Sequence, residues 1–510
     1  MKRPALVFIG FMGAGKSTAL AAAREAGLQT TEIDDLMEKT FGKPIRRAFE
    51  EDGEEAFRAR EAEVVGELLE QADGGAIALG GGSVLSKRVR EAVERHVVVW
   101  LQVDAREAWR RIARSDRPLA NNAEDVERLL EERQPFYGPL ADAVIPPGDR
   151  GLISRAMSSL LALTELPAGT KMLWAASASG EYPVFVGPGL LGAGSWPLPG
   201  QRFCITDESV GPLYAGRLEP LAGRVTLPTG ETAKTMAEAE RVLRELARQG
   251  MTREDHVVAL GGGVVGDLAG FCAHLYQRGV PVVQVPTTLV AQVDSAYGGK
   301  TGVDLPEGKN YAGAYQLPEA VLADTATLAS LPSEELAAGF VELLKTGLLA
   351  GGDLWERTRA LEALDPEQLA QLVFSCAHYK CEVVAADERD AGLRAALNLG
   401  HTVGHAIEAA SGYERYRHGE AVGLGLLAAL RLSGAAKLRD EVEAILQRHR
   451  LPVALDTAIP VDDVLDALQR DKKRTAAGVG FVLLAEPGAP QIGQLVDPAK
   501  VRAAVEELFR

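Results

Sequence analysis

Three of the chain's eight histidines fall between residues 401 and 418. They sit in Asn398-Leu399-Gly400-His401-Thr402-Val403-Gly404-His405 and in His418-Gly419-Glu420. Imidazole binds metals readily and changes charge near neutral pH, so the cluster points to a metal or proton-transfer site. His401 and His405, four apart on one helix face, read by spacing as a metal pair. A second signature opens the chain as Gly10-Phe11-Met12-Gly13-Ala14-Gly15-Lys16-Ser17. G-x-x-x-x-G-K-S between a strand and a helix predicts a phosphate loop. Its backbone N–H groups and the helix N-terminus cradle phosphate oxygens, Lys16 neutralises the β/γ region, and the Ser17 hydroxyl ligates Mg²⁺. One polypeptide is expected to carry two active sites.

A third glycine run, Gly261-Gly262-Gly263-Val264-Val265-Gly266-Asp267, fits G-x-G-x-x-G after a strand and at the start of a helix. This is a moderate dinucleotide signal. The usual acid about twenty residues later is missing, and Asp207, ending an earlier strand, could serve the ribose instead. A dense polar and glycine-rich stretch follows, from Pro286-Thr287-Thr288 through Gly298-Gly299-Lys300 to Gly308-Lys309-Asn310.

The elements that must position these groups alternate strand and helix. Leu6–Ile9 feeds the phosphate loop and a helix from Lys16 to Ala26, with Gly27 as its stop. A helix over Glu54–Glu70 and strands at Ala76–Leu79 and Val97–Leu101 follow. The pattern fades at Leu166-Pro167-Ala168-Gly169-Thr170, read as a linker. It resumes with strands at Pro183–Val186, Phe203–Thr206, His256–Leu260 and Val282–Val285. Such alternation predicts parallel sheets with helices on both faces. Beyond Asp324 the chain turns helical, over Glu334–Leu349, Pro366–Ala386, His401–Ser411 and Glu420–Lys437.

At 510 residues the chain is long enough for roughly three domains. Apolar and charged contents of 46% and 25% are those of a soluble globular protein. No apolar run is long enough for a bilayer, and the first strand is too short for a signal peptide. Four cysteines without a CxxC pair predict a reducing cytoplasm. A net charge of −16 argues against nucleic acid as the main partner. Small anionic ligands must then find local Lys and Arg.

Residues 1–165 resemble shikimate kinase. The resemblance rests on the phosphate loop, Glu32-Ile33-Asp34, Gly53-Glu54-Glu55-Ala56-Phe57-Arg58-x-x-Glu61, Gly80-Gly81-Gly82, Arg117-Pro118-Leu119 and Arg133-Gln134-Pro135-Phe136-Tyr137. It implies that Gly13, Ala14, Gly15, Lys16, Ser17 and Thr18 bind ATP with Mg²⁺ on Ser17, and that Lys16 is catalytic. Asp34 would contact the ring hydroxyls and assist as base. Arg58 and Arg133 would hold the shikimate carboxylate beside Gly81, and Arg117 would reach the ATP phosphates from a lid. Forked guanidiniums suit a planar carboxylate. The family usually has Asp-x-Asp where this chain has Glu32-Ile33-Asp34, which alters the acid expected to support the Mg²⁺ shell.

From about residue 180 to the end the chain resembles 3-dehydroquinate synthase. Further stretches that carry this are Gly230-Glu231-x-x-Lys234, Gly339-Phe340-Val341-Glu342-x-x-Lys345 and Arg394-x-x-Leu397-Asn398-Leu399-Gly400-His401. The resemblance implies Glu342, His401 and His418 as ligands of a catalytic zinc or cobalt, three ligands leaving positions open. It makes His405 a substrate-contacting or second-layer proton handler rather than a ligand. NAD⁺ would meet Asp207, Glu231, Lys234, Gly263, Val264, Asp267, Thr287, Thr288, Lys300 and Lys309. The heptulosonate phosphate would be gripped by Asp294, Lys300, Asn310, Lys345, Lys380, Arg394, Asn398 and His405, with Arg278 on its phosphate and one of Lys472 and Lys473 assisting. Lys300, Lys345 and His405 are the catalytic candidates. The implied chemistry oxidises an alcohol, eliminates phosphate, returns the hydride and closes a carbocycle.

The expected fold is α/β: a P-loop kinase with a nucleoside-monophosphate-kinase-like parallel sheet over 1–165, then a linker and strand over 166–180. A Rossmann-like NAD-binding domain over 181–325 and a mainly helical metal-binding domain over 326–510 complete it. The expected protein is a bifunctional enzyme of chorismate biosynthesis with small-molecule substrates, no nucleic-acid or membrane partner, and a homodimer through its second half. The rivals are a different sugar-phosphate cyclase, a zinc alcohol dehydrogenase that would accumulate NADH, or one inactive half.

Overall fold

The run Leu6–Ile9 is apolar throughout because both its faces are covered, as a parallel strand flanked by helices requires. A computed structural model describes residues 3–113, 122–149, 151–194, 196–470, 474–475 and 478–509. Its contacts divide the chain into two compact units: Met1–Ala175 with Pro183–Phe185 and Ala193–Pro197, and Ala176–Tyr182 with Val186–Gly192 and Leu198–Arg510.

In the first unit the strands are β1 (Leu6–Ile9), β2 (Thr30–Glu32), β3 (Ala76–Ala78), β4 (Val97–Leu101), β5 (Ala143–Ile145) and β6 (Lys171–Ser177). They lie in the order β2-β3-β1-β4-β5-β6, and each pair of neighbours runs parallel. The chain leaves β1 toward β2 on one side and later returns to β4 on the other. Their carboxyl ends therefore flank a crevice where ligands of such sheets sit. Helix α1 (Lys16–Glu25) starts at that edge. Helices α2 (Glu54–Gln71) and α3 (Ala123–Leu140) bring further side chains to it. The segment 166–180 holds β6, whose partner is β5.

The second unit repeats the principle. Strands β7 (Gly180–Gly187), β8 (Arg202–Asp207), β9 (Gly223–Leu227), β10 (His256–Gly261) and β11 (Val282–Pro286) are followed by the hairpin β12 (Lys300–Leu305) and β13 (Gly308–Tyr315), then β14 (Ala320–Asp324). The parallel order β14-β11-β10-β8-β9 puts the topological switch between β8 and β10. Helix α4 (Gly263–Leu275) starts there. The helical part contains α5 (Ser333–Ala350), α6 (Pro366–Ala386), α7 (His401–Ala410) and α8 (His418–Leu432). One helix was expected over Glu420–Lys437; the structure has two, because Gly434 at φ +72° ends the first and Ala436–Arg448 forms the next. All four cysteines are buried and free. Among the described residues no helix is long and apolar enough to cross a membrane.

Candidate active sites

The first site grows from the turn after β1. Gly10, at φ +139°, passes so near β4 that a Cβ there would lie 2.4 Å from the Leu101 carbonyl oxygen, so only glycine lets the loop start here. Lys16 Nζ donates to the carbonyls of Gly10 and Phe11 at 2.8 and 3.0 Å, which lays the ammonium across the loop. The Ser17 hydroxyl donates to Glu32 Oε1 at 2.6 Å. Glu32 thus reaches the Ser17 hydroxyl despite its extra methylene. A cavity of about 800 Å³ opens over Gly13–Thr18, Glu32, Asp34 and Gly81.

The triple glycine after β3 gathers the remaining candidates. A Cβ on Gly80 would lie 3.7 Å from Asp34 Oδ1, one on Gly81 3.7 Å from Arg133 Nη1, and one on Gly82 2.7 Å from Arg58 Cζ. Asp34, Arg58 and Arg133 are therefore brought to one loop from three helices. Tyr137 donates to the Gly81 carbonyl at 2.7 Å and pins the loop. Arg133 is buried over the Phe11 ring at 5.8 Å, and among the described residues it has no ion-pair partner. Burial and the nearby Arg58 lower its hold on its proton. A buried guanidinium of this kind calls for an anion.

Three features of this site escaped the sequence reading as functional. Glu61 is buried and bridges Arg58, at 2.7 Å, to the Ser83 hydroxyl, at 2.7 Å. Arg110 and Arg111 also line the cavity, both held by Glu107 at 2.6 Å, and Arg111 donates to the Gly13 carbonyl at 2.8 Å. The local signal was present in each case, since these carboxylates lie three or four residues from their arginines. Arg117, expected on a lid, lies outside the described residues, as do Lys472 and Lys473.

The second site begins at the switch between β8 and β10. The register Leu260↔Thr206 sets Asp207 level with Gly261, so this acid stands at the edge that carries the glycine loop although it precedes it by some fifty residues. Its Oδ1 accepts from Ser209 and Val210 N–H at 2.8 and 2.7 Å. On the other side Gly261↔Pro286 sets Thr287 and Thr288 at the same edge. The buried Thr287 hydroxyl has no hydrogen-bond partner among the described residues. Gly263 and Val264 open α4. Lys234 is buried against Asp267 at 2.6 Å, lies 3.9 Å from Glu231, and Lys309 approaches Glu231 at 3.8 Å.

The metal candidates converge from three helices. Glu342 on α5 is fully buried, and its Oε1 lies 3.4 Å from His401 Nε2 on α7 and 3.3 Å from His418 Nε2 on α8. Oε1 makes no hydrogen bond among the described residues, while Oε2 accepts from Lys345 Nζ at 2.5 Å. A buried carboxylate oxygen without a donor, faced by two ring nitrogens, fits a shared divalent cation. The second nitrogens are also placed for this. His401 Nδ1 lies 3.2 Å from the Leu399 carbonyl and His418 Nδ1 lies 3.4 Å from Glu408 Oε2. His405 is more exposed, with its ring 5.3 Å from that of His401 and 5.9 Å from that of His418. It also groups with Glu408 and His418.

Electrostatics follow from burial. Burial keeps His401 neutral, with its pKa well below the ordinary value, and Lys345 adds to this. Burial also opposes charge on Glu342, but Lys345 and His418 outweigh it and hold its carboxyl well below the usual range. Behind them Lys380 pairs with Asp294, which lies on the π-helical turn Ala291–Ser295. Three of the lysines, Lys234, Lys345 and Lys380, are thus buried rather than on the surface.

Other candidates are less central. Lys300 is largely exposed and pairs with Asp390 at 2.5 Å. Asn310 is exposed in β13, and its N–H donates to Asp304 at 2.8 Å. Arg394 is buried, and its guanidinium donates to the carbonyls of Gly298 and Glu388. Asn398 donates to the Ala395 carbonyl at 3.1 Å. Arg278 follows α4, whose 13 residues carry the chain about 20 Å away from the glycine loop.

Comparisons with known proteins fall on the same two segments. The family model of shikimate kinase matches residues 12–159. Those of the 3-dehydroquinate synthase N-terminal and C-terminal regions match 224–338 and 339–474. The chain is 43% identical over 353 residues to a 3-dehydroquinate synthase of Symbiobacterium thermophilum, covering 65% of this chain and 98% of that one. It is 45% identical over 343 residues to that of Methylococcus capsulatus, covering 64% and 96%. Among solved structures, a 2-deoxy-scyllo-inosose synthase complexed with carbaglucose-6-phosphate, NAD⁺ and Co²⁺ matches with a TM-score of 0.61 at 26% identity, covering 66% of this chain and 100% of that one.

Proposed function

The chain belongs to the 3-dehydroquinate synthase family and carries a shikimate kinase module ahead of that region, and on this premise we propose that one polypeptide performs two reactions of chorismate biosynthesis. The first unit phosphorylates shikimate with ATP. The second cyclises 3-deoxy-D-arabino-heptulosonate 7-phosphate to 3-dehydroquinate with release of phosphate. The observation that carries the second assignment is Glu342 Oε1, which makes no hydrogen bond among the described residues and faces two histidine nitrogens beside buried lysines.

In the kinase unit the loop Gly13–Thr18 and Lys16 hold the nucleotide phosphates, and Ser17 with Glu32 holds Mg²⁺. Mg²⁺ supplies charge neutralisation on the transferring group. Arg58 and Arg133 take the shikimate carboxylate over Gly81. Asp34 orients the attacking hydroxyl and accepts its proton.

In the synthase unit Glu342, His401 and His418 would hold Zn²⁺ or Co²⁺, and NAD⁺ would lie in the crevice between Asp207 and the Gly263–Val264 turn, edged by Glu231, Lys234, Asp267, Thr287, Thr288 and Lys309. When bound, these groups lower the pKa of a substrate hydroxyl and take up and return one hydride. Lys345, Lys380, Arg394 and the more exposed Lys300 bring positive charge to a substrate that carries carboxylate and phosphate. Asp294, Asn310 and Asn398 orient it. His405, open beside the ligands, moves the proton. Arg278, on the turn Tyr276–Arg278 after α4, is carried over by resemblance as a phosphate contact.

One purified sample tests both activities. Shikimate-dependent ADP release and phosphate release from the heptulosonate phosphate are both expected, the second abolished by a chelator and accompanied by no net NADH. Stoichiometric NADH would favour an alcohol dehydrogenase instead. A second reading, a cyclase whose substrate lacks the carboxylate, is favoured by the 2-deoxy-scyllo-inosose synthase likeness. Turnover of that substrate, with none of the carboxylated one, would select it. A homodimer through the synthase region is part of the proposal and is checked by light scattering.

A further inference from the structure

Glu408 lies on α7, seven residues after His401 and three after His405, and so on their face of the helix. It is only 3% exposed. Its two oxygens serve different partners. Oε2 lies 3.4 Å from His418 Nδ1, and Oε1 accepts from Lys309 Nζ at 3.3 Å. The other nitrogen of His418 faces Glu342 Oε1 at 3.3 Å. Lys309 lies 3.8 Å from Glu231 and 4.6 Å from the centre of the Tyr413 ring, and the Tyr413 N–H donates to the Glu408 carbonyl at 2.8 Å. A buried carboxylate is costly unless its charge is answered. This one is answered on one side by a metal-ligand candidate and on the other by a lysine of the dinucleotide edge.

We propose that Glu408 is a positioning residue that holds His418 with Nε2 presented to the divalent cation and ties this ligand, through Lys309, to the dinucleotide crevice. The inference rests on the reading of Glu342, His401 and His418 as the ligand set. A carboxylate on Nδ1 keeps the proton on that nitrogen and the lone pair on Nε2, and fixes a ring whose outer torsion is otherwise broad. Because Lys309 is shared between Glu408 and the cofactor edge, a dinucleotide that engages Lys309 changes the setting of His418. Linkage then requires each ligand to change the other's affinity by the same factor.

The test uses the full chain, with Co²⁺ as the probe, read by its visible absorption and by competition with a chelator. Glu408→Gln is expected to weaken Co²⁺ binding about 10- to 100-fold and to alter the spectrum. Glu408→Asp, which keeps the charge, should weaken it less, and it carries the test if the glutamine variant does not fold. Saturating NAD⁺ should shift the Co²⁺ affinity of the parent chain and leave that of Glu408→Gln unshifted. Parent-like affinity and spectrum in both Glu408 variants, with His401→Ala unable to bind Co²⁺, would overturn the role of Glu408 while leaving the ligand set intact. Parent-like binding in His401→Ala would overturn both. An equal NAD⁺ effect in the parent and in Glu408→Gln would overturn the tie through Lys309.

Discussion

The Ser17 hydroxyl donates to Glu32 Oε1 across 2.6 Å. Glu32 ends β2 and Ser17 lies in the first turn of α1, so two neighbouring elements meet at this contact. The longer acid reaches the serine proposed to ligate magnesium. Glu32→Ala is expected to raise the Mg²⁺ concentration for half-maximal kinase activity about tenfold or more, as loss of a carboxylate supporting a metal ligand does. Glu32→Asp should fall between, since the shorter chain cannot span the same gap. Magnesium titration at fixed ATP checks this, and an unchanged requirement in Glu32→Ala would remove the role.

The two chemistries use separate residue sets, each within its own unit. Lys16→Ala should reduce shikimate phosphorylation by about 10²-fold or more, the scale of losing one preorganised charge at a transferring group. It should leave phosphate release from the heptulosonate phosphate unaltered. Glu342→Gln should do the reverse. Assay of both activities on each purified variant is the check, and a joint loss in either one contradicts independent sites.

Gly82 touches Arg58. A methyl there would lie 2.7 Å from Cζ and Nη2 and 2.8 Å from Nη1. Gly82→Ala must therefore turn the guanidinium away or shift the loop. The KM for shikimate is expected to rise about tenfold, the cost of one charge-assisted contact, while the KM for ATP changes little. Steady-state kinetics with each substrate varied decides, and equal effects on both would mean that the whole loop had moved.

How much of this was readable depended on distance along the chain. The phosphate loop and the G-x-G-x-x-G turn are local, and strand, glycines and helix follow one another in sequence. The motifs around Glu342, His401 and His418 were quoted from sequence, but their convergence depends on packing α5, α7 and α8 together. Glu408 stayed hidden because its meaning comes from Lys309, 99 residues away. Asp207 was read as a substitute for a missing acid and, by resemblance, as a cofactor contact. Its place became physical when the β8–β10 register set it level with Gly261. The overlong helix expected at Glu420–Lys437 shows the opposite failure, since one glycine in left-handed geometry outweighed a continuous helical pattern.

Helices α7 and α8 cross through glycines. A Cβ on Gly425 would lie 2.0 Å from the Gly400 carbonyl oxygen and 2.8 Å from Gly404 N, both backbone atoms that cannot swing aside. Gly425→Ala must push the helices apart. Overpacking of this kind costs about 1–3 kcal/mol, occasionally more. Because Gly400 precedes His401, the same displacement should weaken Co²⁺ binding. Thermal unfolding of the synthase unit together with Co²⁺ titration checks it. A variant with parent-like melting and metal affinity would show that the crossing has slack.

The last expectation concerns pH. Burial opposes a charge on His418, but Glu342 and Glu408 on either side of the ring outweigh it and raise its pKa to about 10. His401 is held neutral. A cation needs both rings neutral, so it must displace the His418 proton. Below about 10 its apparent affinity should therefore rise nearly tenfold per pH unit, flattening above that value. Without the cation the sign for stability is the opposite. The folded-state value lies above the unfolded one, so the stabilisation is fully present below about 6.5 and is lost as pH climbs through about 10. Chelator competition across this range, and melting of metal-free and Co²⁺-loaded protein, separate the two effects. The metal-free form should melt progressively lower between pH 7 and 10, and the loaded form should not follow it. A Co²⁺ affinity flat across the same range would mean that His418 carries no proton to displace, and that the two carboxylates do not act on it together.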